Sequence, residues 1–369
     1  PTLTLSPTSG SVNAGSTTTF TEKSSVAGTF SNTSEIPSVA TNSPSTYAGV
    51  AANTAETITI TGVSSGTSTI TVTFTPTDTT NYNSKTATYT VTGYNVATTG
   101  SCASLTYNGA SQTLASGGTG VTYTNNTLTN AESQTVTITA NSGYRFSDNT
   151  TSKTLSCSIA KKAVSYTAVS GSKVYDGTAL TNTNATLTSG SLVSGHSASF
   201  SITGSITNVG STTNTLSSVT IIDTSSNDVT ANYDITKNNG TLTITKATPT
   251  LTLSATSGSV NTGSTTTFTE KGSVAGSFGN VSETPSVATV SPASYSSIAA
   301  NTTEIVTITG VSNGTSTITI TFTPTDTTNY TSLTTTYTIT SYNIATTGNC
   351  NSLTYTGSAQ TLASGGTGV

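Results

Sequence analysis

The sequence predicts an all-β chain: a tandem array of antiparallel β-sandwich domains forming an extended rod. Three observations carry that prediction. Apolar and polar residues alternate with the period of a strand over many short runs. Turn signals punctuate those runs at Ser9-Gly10, Ser65-Gly66, Asn108-Gly109, Asp176-Gly177 and Asn239-Gly240. The opening stretch also returns: PTLTLSPTSGSVNAGSTTTFTEK from Pro1 is matched by PTLTLSATSGSVNTGSTTTFTEK from Pro249. The match continues without net insertion or deletion, Cys102 falling on Cys350 and Val121 on Val369, so the period is 249 − 1 = 248 residues. A period of that length marks an array of similar modules.

The clearest strands lie in the first module. Ile58 and Ile60 alternate with Thr57, Thr59 and Thr61. Ile70, Val72 and Phe74 alternate with Thr69, Thr71, Thr73 and Thr75, and Ala87, Tyr89 and Val91 with Thr86, Thr88, Thr90 and Thr92. A period of two sends one set to a core and the Thr set to water. Thr is β-branched and favours strand even on the wet face. No stretch shows 3.6-residue periodicity with helix caps. Many short strands with frequent turns read as sandwiches.

The repeat and its internal echoes set the module boundaries. They fall at 1–92, 93–162 (ending SCSIAKK), 163–247 (ending GTLTITKA), 248–340 as a copy of the first, and 341–369 as the start of a second copy of 93–162. TITKATPTLTL passes from one strand to the next with almost no linker. Junctions this short restrict bending, which predicts a semi-rigid rod.

Composition excludes several functions. Charged residues make up 7% and the net charge is −4, with a single Arg and a single His, so there is no basic patch for nucleic acid. No apolar run approaches the ~18 residues of a membrane span. The chain opens on Pro1 with no signal-peptide pattern, so any export signal or anchor is expected outside it. Hydrophobic residues are only 32%, yet the filler is Thr, Ser, Asn and Gly at strand spacing, which reads as folded rather than disordered.

The third module carries KVYDGTAL (Lys173–Leu180), ITNVG (Ile206–Gly210), NDVTANYDI (Asn227–Ile235) and NGTLTITK (Asn239–Lys246). This text resembles the YDG-type repeat of large bacterial surface proteins. ITGVSSGTSTITVTFTPTDTTNY (Ile60–Tyr82) in the first module and its copy looks like bacterial Ig-like repeats. LTYNGASQTL (Leu105–Leu114) and GYRFSDNTTSKT (Gly143–Thr154) are similar to the related MBG-type modules. The resemblance implies Ig-like sandwiches in the stalk of a secreted bacterial adhesin or filament. It implies no catalytic residue and no cofactor.

Asn81-Tyr82 recurs as Asn329-Tyr330 and, in kindred form, as Asn232-Tyr233, each after an Asp-containing turn and before a late strand. Tyr82, Tyr233 and Tyr330 are expected as structural tyrosine corners, ring buried and hydroxyl bonded to nearby backbone. The competing reading is an aromatic that stacks on sugar. Cys102 and Cys157 flank the second module, on expected first and last strands. In the extracellular setting that the resemblance implies they are expected as a disulfide. It would close 157 − 102 = 55 residues, worth about 4 kcal/mol in the chain-entropy model. Cys350 copies Cys102, with its partner expected beyond the chain. The alternative is free thiols in a reducing compartment; a metal site lacks CxxC spacing and His.

His196, in SGHSAS, has Ser194 and Ser197 beside it, but adjacency in a Ser-rich chain is no triad. Asp78, Asp148, Asp176, Asp223, Asp228 and Asp234 are scattered rather than clustered as calcium requires, and Asp in turns bonds local backbone. A Lys–Asn isopeptide staple at Lys85 is not shared, since Lys85 becomes Leu333 in the copy; Lys23 recurs as Lys271, but Glu22-Lys23 reads as a solvated turn. Regular Thr ranks for ice binding do not suit twisted strands. Sequons such as Asn32-Thr33-Ser34, Asn149-Thr150-Thr151 and Asn184-Ala185-Thr186 are expected by chance in this composition.

The expected function is therefore structural: a non-catalytic stalk or filament, extracellular, on the cell surface or shed as a fibre. Its partner would be itself, along or beside the fibre. The alternative is an adhesin whose modules bind glycan or a partner protein on a host or neighbouring cell, although the absence of Trp and 6% aromatics weigh against sugar platforms. A secreted hydrolase would need a polar constellation that the sequence lacks.

Overall fold

The computed structural model describes residues 1–368, and the chain is all-β. Among the described residues the sole helical element is a 3₁₀ turn at Thr230–Asn232. The backbone divides into two compact units. The first comprises Pro1–Val164, Ser189–Ala198 and Thr220–Thr236; the second comprises Ser165–Thr188, Ser199–Val219 and the chain from Lys237 onward.

The first unit opens with nine strands: β1 (Leu3–Ser6), β2 (Ser9–Asn13), β3 (Thr17–Ser24), β4 (Gly28–Ser34), β5 (Ala40–Ser43), β6 (Thr46–Val50), β7 (Ala55–Gly62), β8 (Gly66–Pro76) and β9 (Lys85–Val96). They form two sheets, β1-β3-β7-β5 and β9-β8-β4-β6, with β2 on β9. Alternation sets which faces meet. Phe20 lies opposite Ile58 while Thr19 and Thr21 lie opposite Thr59 and Thr57, so one face is apolar and the other a Thr ladder. The apolar faces of Phe20, Ile58 and Ile60 close on Phe30, Ile70, Phe74, Tyr89 and Val91. Phe20 and Tyr89 stack with centroids 4.4 Å apart. Burying each such ring contributes roughly 2–3 kcal/mol.

β1 and β2 belong to opposite sheets, so the chain changes layer at Pro7-Thr8. β2 then pairs with β9 in parallel, Ser9 opposite Thr90 through Asn13 opposite Tyr94. The second and last of the nine strands thus meet side by side, an addition to the antiparallel pairs that make up the rest of these two sheets. Gly10 is required there: a Cβ at that position would stand 2.0 Å from the Tyr89 hydroxyl.

The position of Glu22 corrects the sequence reading. Glu22 and Lys23 are not a solvated turn; both lie inside β3, and Glu22 is fully buried. The cause is strand phase. Phe20, Glu22 and Ser24 share the inward face, while Thr21 and Lys23 point outward.

Residues 93–162 build a smaller sheet, with Leu105–Thr106 parallel to Ser152–Ala160, Ser133–Ala140 antiparallel to that strand, and Val121–Thr124 at the edge. No linker precedes it. The end of β9 pairs in parallel with Tyr144–Arg145, so one strand serves both segments. Asn13 Nδ2 donates to the Phe146 carbonyl at 3.0 Å, and the Arg145 guanidinium lies 4.0 Å from the Tyr94 ring centre.

The second unit repeats the first architecture over Leu251–Tyr342. Its sheets hold Thr265–Gly272 with Thr303–Gly310, and Gly276–Ser282 with Gly314–Pro324 and Leu333–Tyr342. Phe268 and Tyr337 stack at 4.5 Å, as Phe20 and Tyr89 do. Glu270 is fully buried like Glu22. Ahead of it in the same unit, Gly171–Val174 pairs in parallel with Gly240–Thr245, and Gly210–Asn214 pairs antiparallel with Gly240–Ile244.

Candidate functional site

The three Asn-Tyr pairs hold the most specific polar geometry. In the second unit the turn that ends at Asn329 is set by Asp326, whose carboxylate accepts from the Asn329 backbone N–H at 3.1 Å and from its Nδ2 at 2.8 Å. With the amide so oriented, Asn329 Oδ1 accepts from the Val209 backbone N–H at 2.8 Å, and Nδ2 donates to Asn208 Oδ1 at 3.3 Å. The Asn329 carbonyl accepts from Ala247 N–H, and Thr331 N–H donates to the Ala247 carbonyl, each at 2.9 Å. Lys246 Nζ donates to the Thr327 carbonyl at 2.6 Å. Tyr330 sets its edge against Tyr175, centroids 5.4 Å apart at 86°. Asn329 is 5% exposed.

The first unit contains the same device with other residues. Asp228 accepts from Thr230 N–H and starts the 3₁₀ turn that presents Asn232. Asn232 Oδ1 accepts from the Ala131 N–H at 2.7 Å and Nδ2 donates to Asn130 Oδ1 at 3.3 Å. Tyr233 meets Tyr107 edge-on, at 5.6 Å and 75°. Plug and socket are therefore the same in both units. The plug is Asn-Tyr. The socket is an Asn-aliphatic dipeptide (Asn130-Ala131, Asn208-Val209) beside the Tyr of a Tyr-Asx-Gly turn (Tyr107, Tyr175). Each plug Asn satisfies a backbone donor that would otherwise be left unmade at an inter-segment seam.

Tyr233 behaves as a corner. Its ring is buried, and its hydroxyl accepts from Val193 N–H at 3.1 Å and shares a hydrogen bond of 2.8 Å with His196 Nδ1. His196 thus positions Tyr233; neither Ser194 nor Ser197 is its recorded partner. Tyr330 is half-buried and packs on Tyr175 rather than closing a corner. Tyr82 departs from the expectation altogether: its ring is 42% exposed, and among the described residues no socket faces it. Asn81 beside it is exposed too, although Asp78 holds it as Asp326 holds Asn329, at 3.1 Å and 2.7 Å.

Cys102 and Cys157 are joined as a disulfide with Cα atoms 5.4 Å apart, tying the Ser101–Cys102 strand to Ser152–Ala160; Cys350 is an exposed free thiol. The aspartates bond their own turns. Asp223 accepts from Ser225 and Asn227 N–H, Asp176 from Thr178 N–H, and Asp148 from Thr150 N–H. Lys153 pairs with Asp148 and Lys173 with Asp176. Hydrogen bonds from those lysines and turns hold both carboxyls well below the usual range. A polar hollow of about 450 Å³ lies beside the first-unit clasp, lined by Asn130, Glu132, Asp223, Asn227, Asp228 and Asn232. Among the described residues no group of three His, Cys, Asp or Glu could hold a metal ion, and no helix is long and apolar enough to cross a membrane.

The buried carboxyls form a second recurrent site. Glu22 Oε1 accepts from Asn32 Nδ2 at 3.1 Å, and Glu270 Oε1 from Asn280 Nδ2 at 3.0 Å. Burial pushes both up to about 7, the Asn bond opposes this, and Glu56 or Glu304 across the ladder adds to it. Both carboxyls are therefore largely protonated in mildly acidic water.

No protein-family model matches this chain, and no curated protein does. Solved structures give distant likenesses. The surface layer protein SbsC, domains 1–6, is 16% identical at a TM-score of 0.24, covering 95% of this chain and 56% of that one. A SusE-like surface located polysaccharide binding protein of Bacteroides thetaiotaomicron, BT4661, is 10% identical at 0.22, covering 94% and 73%. An ICAM-5 D1–D4 ectodomain fragment is 10% identical at 0.27, covering 91% and 97%. The chain thus spans little more than half the length of the surface layer fragment, and likeness at these scores assigns no function.

Proposed function

We propose that this chain is the structural repeat region, stalk or filament, of a secreted bacterial surface protein, without catalysis of its own. Its modules, divided near 92, 162, 247 and 340, are strung end to end as a rod. The observation that carries this reading is the recurrence of one clasp, with the same atoms in the same roles, at Asn232 and at Asn329. A device repeated where segments meet serves to fix neighbours in a set relation, which is what a stalk requires and a catalyst does not. The shared strand β9 supports it in the same way. The Cys102–Cys157 disulfide suits an extracellular, oxidising location, on the cell surface or in a shed fibre.

The adhesin alternative is favoured by one feature, the polar hollow beside Asn232, which offers amides and carboxylates to glycan or a partner protein. Small-angle scattering of the full chain separates the two. A compact domain of this length has a radius of gyration of about 21 Å, whereas a rod of sandwiches, each roughly 35–40 Å long, exceeds about 40 Å. The compact value would overturn the stalk and leave the adhesin head.

A further inference from the structure

Asn81 and Tyr82 form a plug that meets no socket among the described residues. The six residues Thr77–Tyr82 are identical to Thr325–Tyr330. Asp78 orients Asn81 as Asp326 orients Asn329. The residues that line the hollow of about 260 Å³ around Tyr330, Ser273, Val274, Ala275, Ala300 and Thr325, recur in the sequence of the first copy as Ser25, Val26, Ala27, Ala52 and Thr77. The two tips nevertheless differ in exposure. Asn329 is 5% exposed beneath Asn208 and Val209, while Asn81 is exposed and Tyr82 is 42% exposed.

We propose that the Asn81–Tyr82 tip is a docking surface for a second copy of segment 163–248. Asn81 Oδ1 would accept from the N–H of that copy's Val209, Nδ2 would reach its Asn208 Oδ1, and Tyr82 would set its edge on its Tyr175. The commitment to this occupant rests on identity of sequence and on pre-set geometry at the tip, with the occupied tip as template. One position differs. Thr331, whose hydroxyl reaches Ala247 and Thr248, is Asn83 in the first copy. The backbone N–H that pairs with Ala247 remains available there, so the backbone bridge survives. The inference does not depend on the stalk reading: a compact arrangement of the chain would leave the vacant plug and its partner unchanged.

Two hydrogen-exchange measurements test it. In the native chain, amides over 79–84 should exchange on the order of tenfold or more faster than those over 327–332, since only the latter are docked. Equal rates would overturn the proposal without further work. In a chain extended by a copy of residues 163–248 placed directly before Pro1, exchange over 79–84 should slow to the 327–332 value, and Asn81→Ala should restore the fast rate in that chain while leaving the native chain unaltered. An extended chain in which 79–84 still exchanges as in the native chain would overturn it, as would an Asn81→Ala variant that remains protected.

Discussion

The native chain should lose stability between about pH 4.5 and 7, and replacing Glu22 and Glu270 by Gln should remove that fall. Each carboxyl is buried on a strand that also carries a core Phe, with one oxygen bonded to an Asn and the other, Oε2, without a partner among the described residues. Burial raises each from 4.5 to about 7. The folded chain therefore holds these protons more tightly than the unfolded chain. The stability this confers is fully present below about 4.5, declines as pH rises, and is gone above about 7. At about 1.4 kcal/mol per unit, the shift of 7 − 4.5 = 2.5 units sets an upper bound of about 3.5 kcal/mol per site; relaxation and residual screening bring this to roughly 1–3 kcal/mol. Gln preserves the acceptor for Asn32 or Asn280 and cannot ionise. Urea unfolding followed by circular dichroism, at about pH 4.5 and about pH 8.5, measures the difference. The native chain should lose stability across that interval, and the double variant should not. A native profile that rises toward alkaline pH, or a double variant with the native slope, would refute the reasoning.

The clasps predict a contrast between chemically identical substitutions. Asn329→Ala strands the Val209 N–H and should cost about 1–3 kcal/mol, while Asn81→Ala in the native chain should stay within roughly 0.5 kcal/mol; thermal unfolding compares them. Reducing Cys102–Cys157 should cost the 93–162 segment about 4 kcal/mol, seen as earlier proteolysis there, and Cys350 alone should alkylate before reduction. Gly10→Ala forces the Tyr89 ring to shift and should destabilise by about 1–3 kcal/mol in urea unfolding. Acid should unfold the chain by another route: Asp78, Asp148, Asp176, Asp223, Asp228 and Asp326 all titrate below their usual value, so the stability they lend is present above that value and is lost as pH falls through the lowered one.

Much of the strand content was legible because its signal is local. Ile58, Ile60, Ile70, Val72 and Phe74 announce their faces by alternation alone, and all five are fully buried. The parallel pairing of β2 with β9 was not legible, since Ser9 and Thr90 are brought together by long-range closure. Glu22 was misread because a carboxylate is costly to bury; its phase with Phe20 was the available signal, and protonation removes the objection. The Asn-Tyr recurrence is visible in the sequence, where the ring is its more conspicuous member. The Asn carries the recognition, and its partners at Asn130 and Ala131 lie about a hundred residues away. The signal that pairs them is an Asn-Ala or Asn-Val dipeptide in the same module as a Tyr-Asx-Gly turn.

The side-by-side meeting of β2 and β9 has a mechanical consequence. Tension applied along the chain enters the first sandwich through β1, which is paired with β3, reaches β2 and leaves through β9, pulling the parallel neighbours β2 and β9 in opposite directions. Their ladder, Ser9 to Asn13 against Thr90 to Tyr94, is then loaded in shear, all bonds sharing the force rather than opening one after another. Force passing onward from β9 meets Cys102–Cys157 and crosses by the sulfur bridge. The bypassed loop of 55 residues, about 180 Å if drawn out, is withheld from extension as long as the bridge stands. Under load the oxidised chain resists stretching, and its reduced form has slack to give.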